Sequence, residues 1–359
     1  MTPRQVYISC LRAVQHKRPV LIIGGPGIGK TSLAKKLAKQ LSMQLFITTP
    51  AINDPTDYKG LGMASKDGSH ATFLPFGQMY ELLNATVPTL WFIDDLGQAT
   101  NSVQATLMPW ILERCSGEHR LPDCVTIIAA SNGREHKANV NGILEPVKSR
   151  FHKIIKMEPC YSEWRQDFAI PNKMPVDIIS FLDFQGRKQN SLFNNFVPTS
   201  DMTNSPIPRT WANAGDLIND YLESESDESE YDDSTSVLFN DVVGSIGLTA
   251  ASELWSFRAT HKSLVGTIDD IIDDPRNAFI PTDINAQFAV INSLARRAND
   301  ENLDSIFQYA VRLNENIQPE LPVSMLNDIF LLKPDLTQHY AFTKIMTSKE
   351  FGQAFMGKM

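Results

Sequence analysis

The residues best suited to carry chemistry form a glycine-rich octapeptide, GGPGIGKT, at positions 24–31. It matches the pattern GxxxxGK followed by Ser or Thr, comes directly after the apolar run 20–23 and opens a helical pattern, the context that separates a phosphate-binding loop from a chance match. Gly24, Gly27 and Gly29 permit backbone conformations closed to other residues, so that consecutive amides can face a phosphate at a helix N-terminus. The spacing therefore predicts a P-loop that binds a nucleoside triphosphate.

Two side chains of this loop supply a charge and a metal ligand. Lys30 would neutralise the β- and γ-phosphates, and the Thr31 hydroxyl would bind the Mg²⁺ ion that bridges them. The predicted nucleotide contacts are Gly25, Pro26, Gly27, Ile28, Gly29, Lys30, Thr31 and Ser32.

A pair of acids, Asp94 and Asp95, follows the apolar run 90–93. A carboxylate that ends a strand beside a P-loop can bind the same metal, so Asp94 is predicted to be the second Mg²⁺ ligand. Asp95 stands where many such ATPases have a glutamate that orients and deprotonates the attacking water. The aspartate side chain reaches about 1–1.5 Å less far than glutamate. Two outcomes stay open: hydrolysis could be much slower, or a shift of the backbone could restore the reach. A solvated strand end is the alternative interpretation.

Asn132 follows another apolar run, 125–130. Its neutral amide would lie next to the acidic pair, where it could hold the water or the γ-phosphate. Asparagine at a strand end is also a common turn residue, and only the ordered series of strands favours the functional interpretation.

A parallel sheet is needed to bring these residues together. Five mainly apolar runs occur in the first part of the chain, at residues 20–23, 45–48, 90–93, 125–130 and 153–157. The first four are continuous rather than alternating, as in strands covered on both faces, and helical patterns separate them. This alternation predicts an α/β fold with a five-stranded parallel sheet.

Beyond residue 160 the pattern changes to helices interrupted by Pro171, Pro175 and the turn 206–208. The stretch 223–236, ESESDESEYDDSTS, is acidic and poor in apolar residues, which predicts a mobile loop or linker, with an acidic docking role as the alternative. Helical spacing then resumes. The predicted organisation is an α/β nucleotide-binding domain at residues 1–158, a helical lid at 159–258 and a C-terminal helical accessory region at 259–359.

Composition narrows the class of protein. A net charge of -8 and a pI near 5.4 argue against a surface that wraps a nucleic-acid backbone unaided. No apolar run approaches the roughly 18 residues that cross a bilayer, and the first residues lack the apolar stretch of a signal peptide, so we expect a cytoplasmic protein. Cys10, Cys115, Cys124 and Cys160 show neither CxxC nor metal-ligand spacing, which predicts neither zinc nor disulfides.

Taken in order, the motifs resemble the AAA+ superfamily, and more narrowly its MoxR-like branch with the relatives that contain dynein-type AAA modules. The resemblance covers roughly residues 11–257. Residues 54–60, DPTDYKG, are similar to the branch's segment after the second strand, and residues 73–79, FLPFGQM, to the stretch before the next helix. Residues 63–72 would form an inserted hairpin between them.

Residues 112–132 are similar to the family's approach to sensor 1, which makes Asn132 the sensor 1 residue. Two departures from the family pattern stand out. Asp95 replaces the usual glutamate, which leaves the rate of hydrolysis open. The acidic insertion at residues 223–233 falls where the family's lid is usually more compact.

The resemblance also implies roles for two arginines. Residues 145–151, EPVKSRF, resemble a helix that ends in an arginine finger, so that the planar guanidinium of Arg150 would reach the γ-phosphate of a neighbouring copy. Residues 208–211, PRTW, resemble the sensor 2 motif of the lid, which would put Arg209 on the nucleotide of its own subunit. The alternatives are a surface salt bridge for Arg150 and a helix-start position for Arg209.

A finger that acts on a neighbouring copy implies a closed ring, which the resemblance makes a hexamer that assembles with ATP and Mg²⁺. MoxR-like proteins act as chaperone-like remodelers, often with a von Willebrand factor A-type partner, and the resemblance implies the same role here. The choice of ATP over GTP rests on the family, since no named residue reads the base. Two alternatives stay open, a nucleic-acid-stimulated motor ATPase and a slow nucleotide-gated scaffold suggested by Asp95.

Overall fold

The structure, a computed structural model, describes residues 1–133, 142–186, 191–197, 202–223, 236–262, 265–316, 320–348 and 351. Two compact units make up the chain. The first is Met1–Cys160 with Val197–Ser200, and the second is Tyr161–Phe196 with Asp201–Met359. The first boundary lies close to residue 158, the predicted end of the nucleotide-binding domain, whereas the further division at residue 258 stays a prediction.

Helices and strands alternate in the first unit. Its helices are α1 (Pro3–Gln15), α2 (Lys30–Gln40), α3 (Pro55–Lys59), α4 (Gly77–Leu83), α5 (Asn101–Ile111) and α6 (Glu145–Lys148), with 3₁₀ turns at Pro50–Ile52 and Leu96–Gln98. Its strands are β1 (Val20–Ile23), β2 (Gln44–Thr48), β3 (Leu61–Ala64), β4 (Ala71–Leu74), β5 (Thr89–Ile93), β6 (Cys115–Ser116), β7 (His119–Arg120), β8 (Val125–Ser131) and β9 (Lys153–Lys156).

Five of these strands form one parallel sheet in the order β2-β5-β8-β1-β9. All five come from the apolar runs that predicted them, with ends shifted by a residue at most. Every residue of β5 and β8 is buried, which explains why those runs are continuous rather than alternating. The predicted α/β fold with a five-stranded parallel sheet is confirmed, with β1 paired between β8 and β9 and the P-loop directly after it.

Successive residues of the central strands enter two different hydrophobic cores, because side chains alternate across a sheet. Trp91 and Ile127 pack on one face with α5, and Phe92 and Ile128 pack on the other face with α1 and α2. The Trp91 indole also donates a 2.9 Å hydrogen bond to the Thr48 hydroxyl. The sheet edge that carries the catalytic candidates is therefore held from both sides.

The described residues of the first unit also form two antiparallel hairpins. The predicted insertion at residues 63–72 is a hairpin, and its strands β3 and β4 extend it to Leu61 and Leu74. The shorter hairpin, β6 with β7, leads into β8. A ring nitrogen of His119 lies 2.6 Å from the carbonyl oxygen of Phe73, which connects the two hairpins.

The second unit is helical throughout its described part. Its elements are α7 (Tyr161–Trp164), a π-helical turn (Arg165–Ala169), α8 (Val176–Gln185), a 3₁₀ turn (Leu192–Asn194), α9 (Pro208–Glu223), α10 (Val237–Ile246), α11 (Leu248–Lys262), α12 (Val265–Asp273), α13 (Ile284–Arg297), α14 (Leu303–Asn316), α15 (Glu320–Leu332), a 3₁₀ turn (Pro334–Gln338) and α16 (Tyr340–Thr347). Most of the acidic stretch predicted to be a loop, residues 224–235, lies outside the described residues. In the part of the chain that is described, no helix combines the length and apolar character needed to cross a membrane.

The core of the second unit contains a charged cluster. Arg165 donates to both carboxylate oxygens of Asp328, at 2.6 and 2.5 Å, and also pairs with Asp183 at 3.0 Å. Asn292 accepts a further hydrogen bond from Arg165 at 3.0 Å. Burial opposes the charge of the guanidinium, but the two carboxylates outweigh it and raise the pKa of Arg165. The cluster is a structural feature that the sequence did not predict.

Candidate nucleotide site

The P-loop leaves β1 in a conformation that only glycine fits. A Cβ atom on Gly24 would lie 2.6 Å from the carbonyl oxygen of Met157, a residue whose own amide is bonded to Ile23. Gly27 and Gly29 have φ angles of 69° and 100°, in the left-handed region that other residues rarely adopt. Gly29 is the N-cap of α2, so the loop ends at a helix N-terminus whose amides favour anions.

Lys30 is the first residue of α2 and its side chain folds over the loop. The ammonium donates to the carbonyl oxygens of Gly24 and Gly25, at 3.0 and 2.7 Å, and to Oδ1 of Asn132 at 2.8 Å. Only 7% of Lys30 is exposed. The predicted phosphate-binding cation therefore lies inside the loop and is connected to the end of β8.

The two predicted metal ligands are in direct contact. The Thr31 hydroxyl donates to Oδ2 of Asp94 at 2.8 Å, while Oδ1 of Asp94 accepts the amide hydrogen of Asp95 at 3.1 Å. The Asp94 amide in turn donates to the carbonyl oxygen of Thr48 on β2, which fixes the end of β5. A hydroxyl and a carboxylate oxygen are ligands that Mg²⁺ prefers, so these residues fit the predicted ion.

Within the described ranges, no group of three or more His, Cys, Asp or Glu side chains could hold a metal ion by itself. Magnesium commonly keeps waters and binds substrate phosphates beside one or two protein ligands, which fits a site formed by Thr31 and Asp94.

Asp95 and Asn132, the two candidates for water activation, face each other. The Asn132 amide nitrogen lies 3.5 Å from Oδ1 of Asp95, and its Oδ1 accepts from Lys30. Asp95 has φ 53° and ψ 35°, the left-handed region, which an aspartate enters more readily than most residues. Asn132 thus bridges the cation of the P-loop and the carboxylate predicted to act on water.

Arg150 lies in the turn after α6, where it contacts residues of its own chain. One guanidinium nitrogen, Nη1, donates to the carbonyl oxygen of Pro146 at 2.8 Å, and Nη2 lies 3.5 Å from Oε1 of Glu113. Nε is buried and has no hydrogen-bond partner among the described residues. This is the salt bridge that the alternative interpretation predicted, and the finger role of Arg150 stays a prediction.

Arg209 belongs to the second unit, where it is exposed in the first turn of α9. The helix start is held by its neighbour Thr210, whose hydroxyl accepts from Ile207 and donates to Ser205. This helix-start position agrees with the alternative interpretation, and the sensor 2 role of Arg209 stays a prediction.

Glu113 and Thr48 are residues of this site that sequence reasoning missed. Glu113 pairs with the candidate finger, and Thr48 positions Asp94 through its backbone carbonyl and Trp91 through its hydroxyl. A polar residue at the end of an apolar run could have indicated Thr48. No spacing rule connects Glu113 with Arg150, since the two lie on separate turns.

Comparisons with known proteins agree with a nucleotide-binding role for this segment. A family model described as Novel STAND NTPase 3 matches residues 2–74, which contain the P-loop. No curated protein matches the chain. The NTPase interpretation therefore rests on the geometry of the P-loop and on this family match.

Solved structures with similarity to the chain include the Thermotoga maritima RuvB Holliday junction branch migration motor. The two share 13% identity with a TM-score of 0.35, and the alignment covers 97% of this chain and 89% of that chain. A proposed ATPase from Cytophaga hutchinsonii shares 12% identity with a TM-score of 0.35, over 91% of this chain and 80% of that chain.

Proposed function

We propose that this chain is an AAA+ ring ATPase of MoxR-like type, which binds ATP with Mg²⁺, hydrolyses it to ADP and phosphate, and uses the cycle to remodel or chaperone a protein partner. The observation that supports hydrolysis most directly is the chain of contacts from Lys30 through Asn132 to Asp95. It connects the phosphate-binding cation to the carboxylate that would act on water.

The P-loop residues hold and neutralise the triphosphate. The backbone N–H groups of residues 25 and 27–32 would surround the phosphates at the start of α2, and Lys30 would place its charge on the β- and γ-phosphates. Thr31 and Asp94 would hold the Mg²⁺ ion, which would offset the negative charge of the phosphates during transfer. These contacts bind ATP and lower the cost of charge in the transition state.

Asp95 and Asn132 act on the attacking water. The Asp95 carboxylate accepts a proton from the water as its oxygen approaches the γ-phosphorus, and the Asn132 amide positions both Asp95 and the phosphate. The contact between Asn132 and Asp95 is at the long end of a hydrogen bond, at 3.5 Å. Catalytic contacts of this kind often shorten when substrate binds.

Arg150 completes the site of a neighbouring copy in this proposal. Its guanidinium is permanently charged and planar, which suits a spreading phosphoryl charge better than an ammonium does. A residue that acts between copies requires a ring, and the resemblance of the motifs suggests six subunits.

The remodelling role and the von Willebrand factor A-type partner rest on the resemblance of residues 54–60, 73–79 and 145–151 to the MoxR-like branch. The hairpin between β3 and β4 adds support, since it stands where that branch has an insertion and exposes Met63 and Phe73. Exposed apolar side chains on a hairpin can contact a protein partner.

Phosphate release from Mg²⁺-ATP tests the hydrolytic part. We expect Lys30→Ala to abolish turnover and Lys35→Ala, which removes an exposed lysine of the same helix, to retain it. Equal activity of wild type and Lys30→Ala would refute the proposal.

The remodelling part is tested with a von Willebrand factor A-type neighbouring-gene product. We expect this partner to co-purify with the chain and to stimulate phosphate release. If neither effect is seen, the remodelling part is wrong.

A further inference from the structure

An ion pair between Glu113 and Arg150 joins two turns that are distant in the sequence. Glu113 lies in the turn between α5 and β6, and Arg150 lies in the turn after α6. Oε1 of Glu113 is 3.5 Å from Nη2 of Arg150. The carboxylate thus occupies one edge of the guanidinium that is proposed to reach a phosphate.

A buried glutamine connects α5 to the segment before α6. Gln104 of α5 is fully buried, and its amide nitrogen donates to the carbonyl oxygens of Ala99 and Gly142, at 3.1 and 2.8 Å. Its side-chain oxygen, Oε1, accepts a 3.0 Å hydrogen bond from the backbone amide of Leu144, the residue directly before α6. Gln104 therefore connects α5, which precedes Glu113, to the segment that leads into α6, which precedes Arg150.

The ion pair between Glu113 and Arg150 is of a kind in which Arg150 can exchange Glu113 for another anion. Its side chains are 25% exposed at Arg150 and 43% at Glu113, and only one oxygen and one nitrogen approach each other. Pairs of this exposure contribute little to stability. The guanidinium has further donors, including the buried Nε that has no hydrogen-bond partner in the described residues. The contact of Arg150 with Glu113 is therefore weak, and it stands beside the 2.8 Å hydrogen bond from Nη1 to the carbonyl oxygen of Pro146.

We propose that Glu113 is a positioning residue that holds Arg150 within its own subunit and competes with the nucleotide phosphate of the neighbouring copy for the same guanidinium. This inference rests on the proposed function of Arg150. A phosphate and a carboxylate both accept from the N–H groups of a guanidinium, so the two anions compete for the charge of Arg150. Copies that assemble with bound nucleotide then require Arg150 to leave Glu113. The Glu113 carboxylate therefore raises the protein concentration that is needed for ATP hydrolysis.

The test is phosphate release measured against protein concentration at saturating Mg²⁺-ATP. Glu113→Gln keeps the size of the side chain and removes its charge. We expect half-maximal specific activity at a protein concentration about two- to fivefold lower than in wild type, the range that a weak surface ion pair corresponds to. Glu81→Gln removes one exposed negative charge from α4 and should leave the curve unchanged.

Two further variants separate the possible failures. Arg150→Ala should lose most turnover at every concentration; full turnover in this variant would refute the finger itself, independently of Glu113. If Arg150→Ala is impaired but Glu113→Gln matches wild type, or needs a higher concentration, the competition is refuted while the finger stands. In the double variant turnover should be as low as in Arg150→Ala alone, and a gain in turnover on adding Glu113→Gln to Arg150→Ala would show that Glu113 acts through another residue. Unfolding temperatures of all variants check that the fold is retained.

Discussion

The hydroxyl oxygen of Thr31 lies 2.8 Å from Oδ2 of Asp94, although 63 positions separate the two residues in the sequence. The parallel sheet explains this proximity: β1 and β5 both flank β8, so that their carboxyl ends reach the same edge. Asn132 leaves β8 between them and contacts Lys30. The order of the strands in the sheet therefore brings the residues of the candidate site together.

Removal of the Thr31 hydroxyl should weaken the binding of the Mg²⁺ complex of ATP. We expect Thr31→Ala to lower affinity about 10-fold or more, because a hydrogen bond or ligand involving a charged partner typically contributes about 1.5–3 kcal/mol. Thr31→Ser keeps the hydroxyl and should stay within about threefold of wild type. Titration of a fluorescent ATP analogue with and without EDTA measures both; equal Mg²⁺-dependent affinity in Thr31→Ala would contradict the ligand role.

Asp95 should control turnover rather than binding. If its carboxylate accepts the proton of water, Asp95→Asn should lower kcat by about 100-fold or more and leave nucleotide affinity nearly unchanged. Asp95→Glu restores the longer side chain and should raise kcat if reach limits the rate. Single-turnover phosphate release separates these effects from binding. Unchanged turnover in Asp95→Asn would instead favour the slow nucleotide-gated scaffold.

Gly24 should tolerate no side chain. The Cβ of Gly24→Ala would meet the Met157 carbonyl oxygen at 2.6 Å, and this backbone is bonded to β1, so we expect destabilisation of about 1–3 kcal/mol and loss of nucleotide binding. Gly62→Ala is the matched control, because its Cβ would meet its nearest neighbour only at 4.0 Å. Urea unfolding and nucleotide titration of both variants measure the difference; similar behaviour of the two would show that the loop can move away.

The charged cluster of the second unit should be sensitive to loss of its cation. Arg165→Ala leaves the buried carboxylates of Asp183 and Asp328 without their counter-charge, which typically costs about 3–5 kcal/mol. Arg297→Ala breaks an exposed pair with Asp269 and should cost at most about 1 kcal/mol. Amide hydrogen exchange of α8 and α15 reports the stability of this unit. Equal exchange rates in the two variants would contradict the central role of Arg165.

Cys10 should be the least reactive of the four cysteines. Burial raises the pKa of the Cys10 thiol from 9.0 to about 12, although Lys153 favours the thiolate, and the side chain is 0% exposed. The thiolate is the reactive form, so alkylation at pH 8 should modify the partly exposed Cys115, Cys124 and Cys160 first and Cys10 only after unfolding. Mass spectrometry after a short iodoacetamide pulse checks this order, which early labelling of Cys10 would contradict.

The same shift predicts a dependence of stability on pH. The folded state binds the Cys10 proton more tightly than the unfolded state does. The resulting stabilisation is complete below about pH 9 and is lost as the pH rises towards 12. The free energy of unfolding of a Cys10→Ser variant, compared with wild type across this range, isolates the contribution.

The P-loop, the strands and the acids that follow them could all be predicted from the amino-acid sequence. This was possible because each signal is local: glycines at fixed spacing, continuous apolar runs, and polar residues at their ends. Lys30, Thr31 and Asp94 could be placed at one sheet edge before their distances were known, since parallel strands present their carboxyl ends together. The predicted strand bounds are correct to within a residue for the same reason.

Which residues meet across long stretches of the chain could not be predicted, because packing between elements sets these contacts. Glu113 contacts Arg150, and Arg165 meets Asp183 and Asp328, through packing between elements that are far apart in the chain. Ion pairs of this kind follow no periodicity, because any acid on a neighbouring surface could serve. The sequence therefore specified the residues that can bind a triphosphate, whereas the packed structure selected the carboxylate that holds the candidate finger.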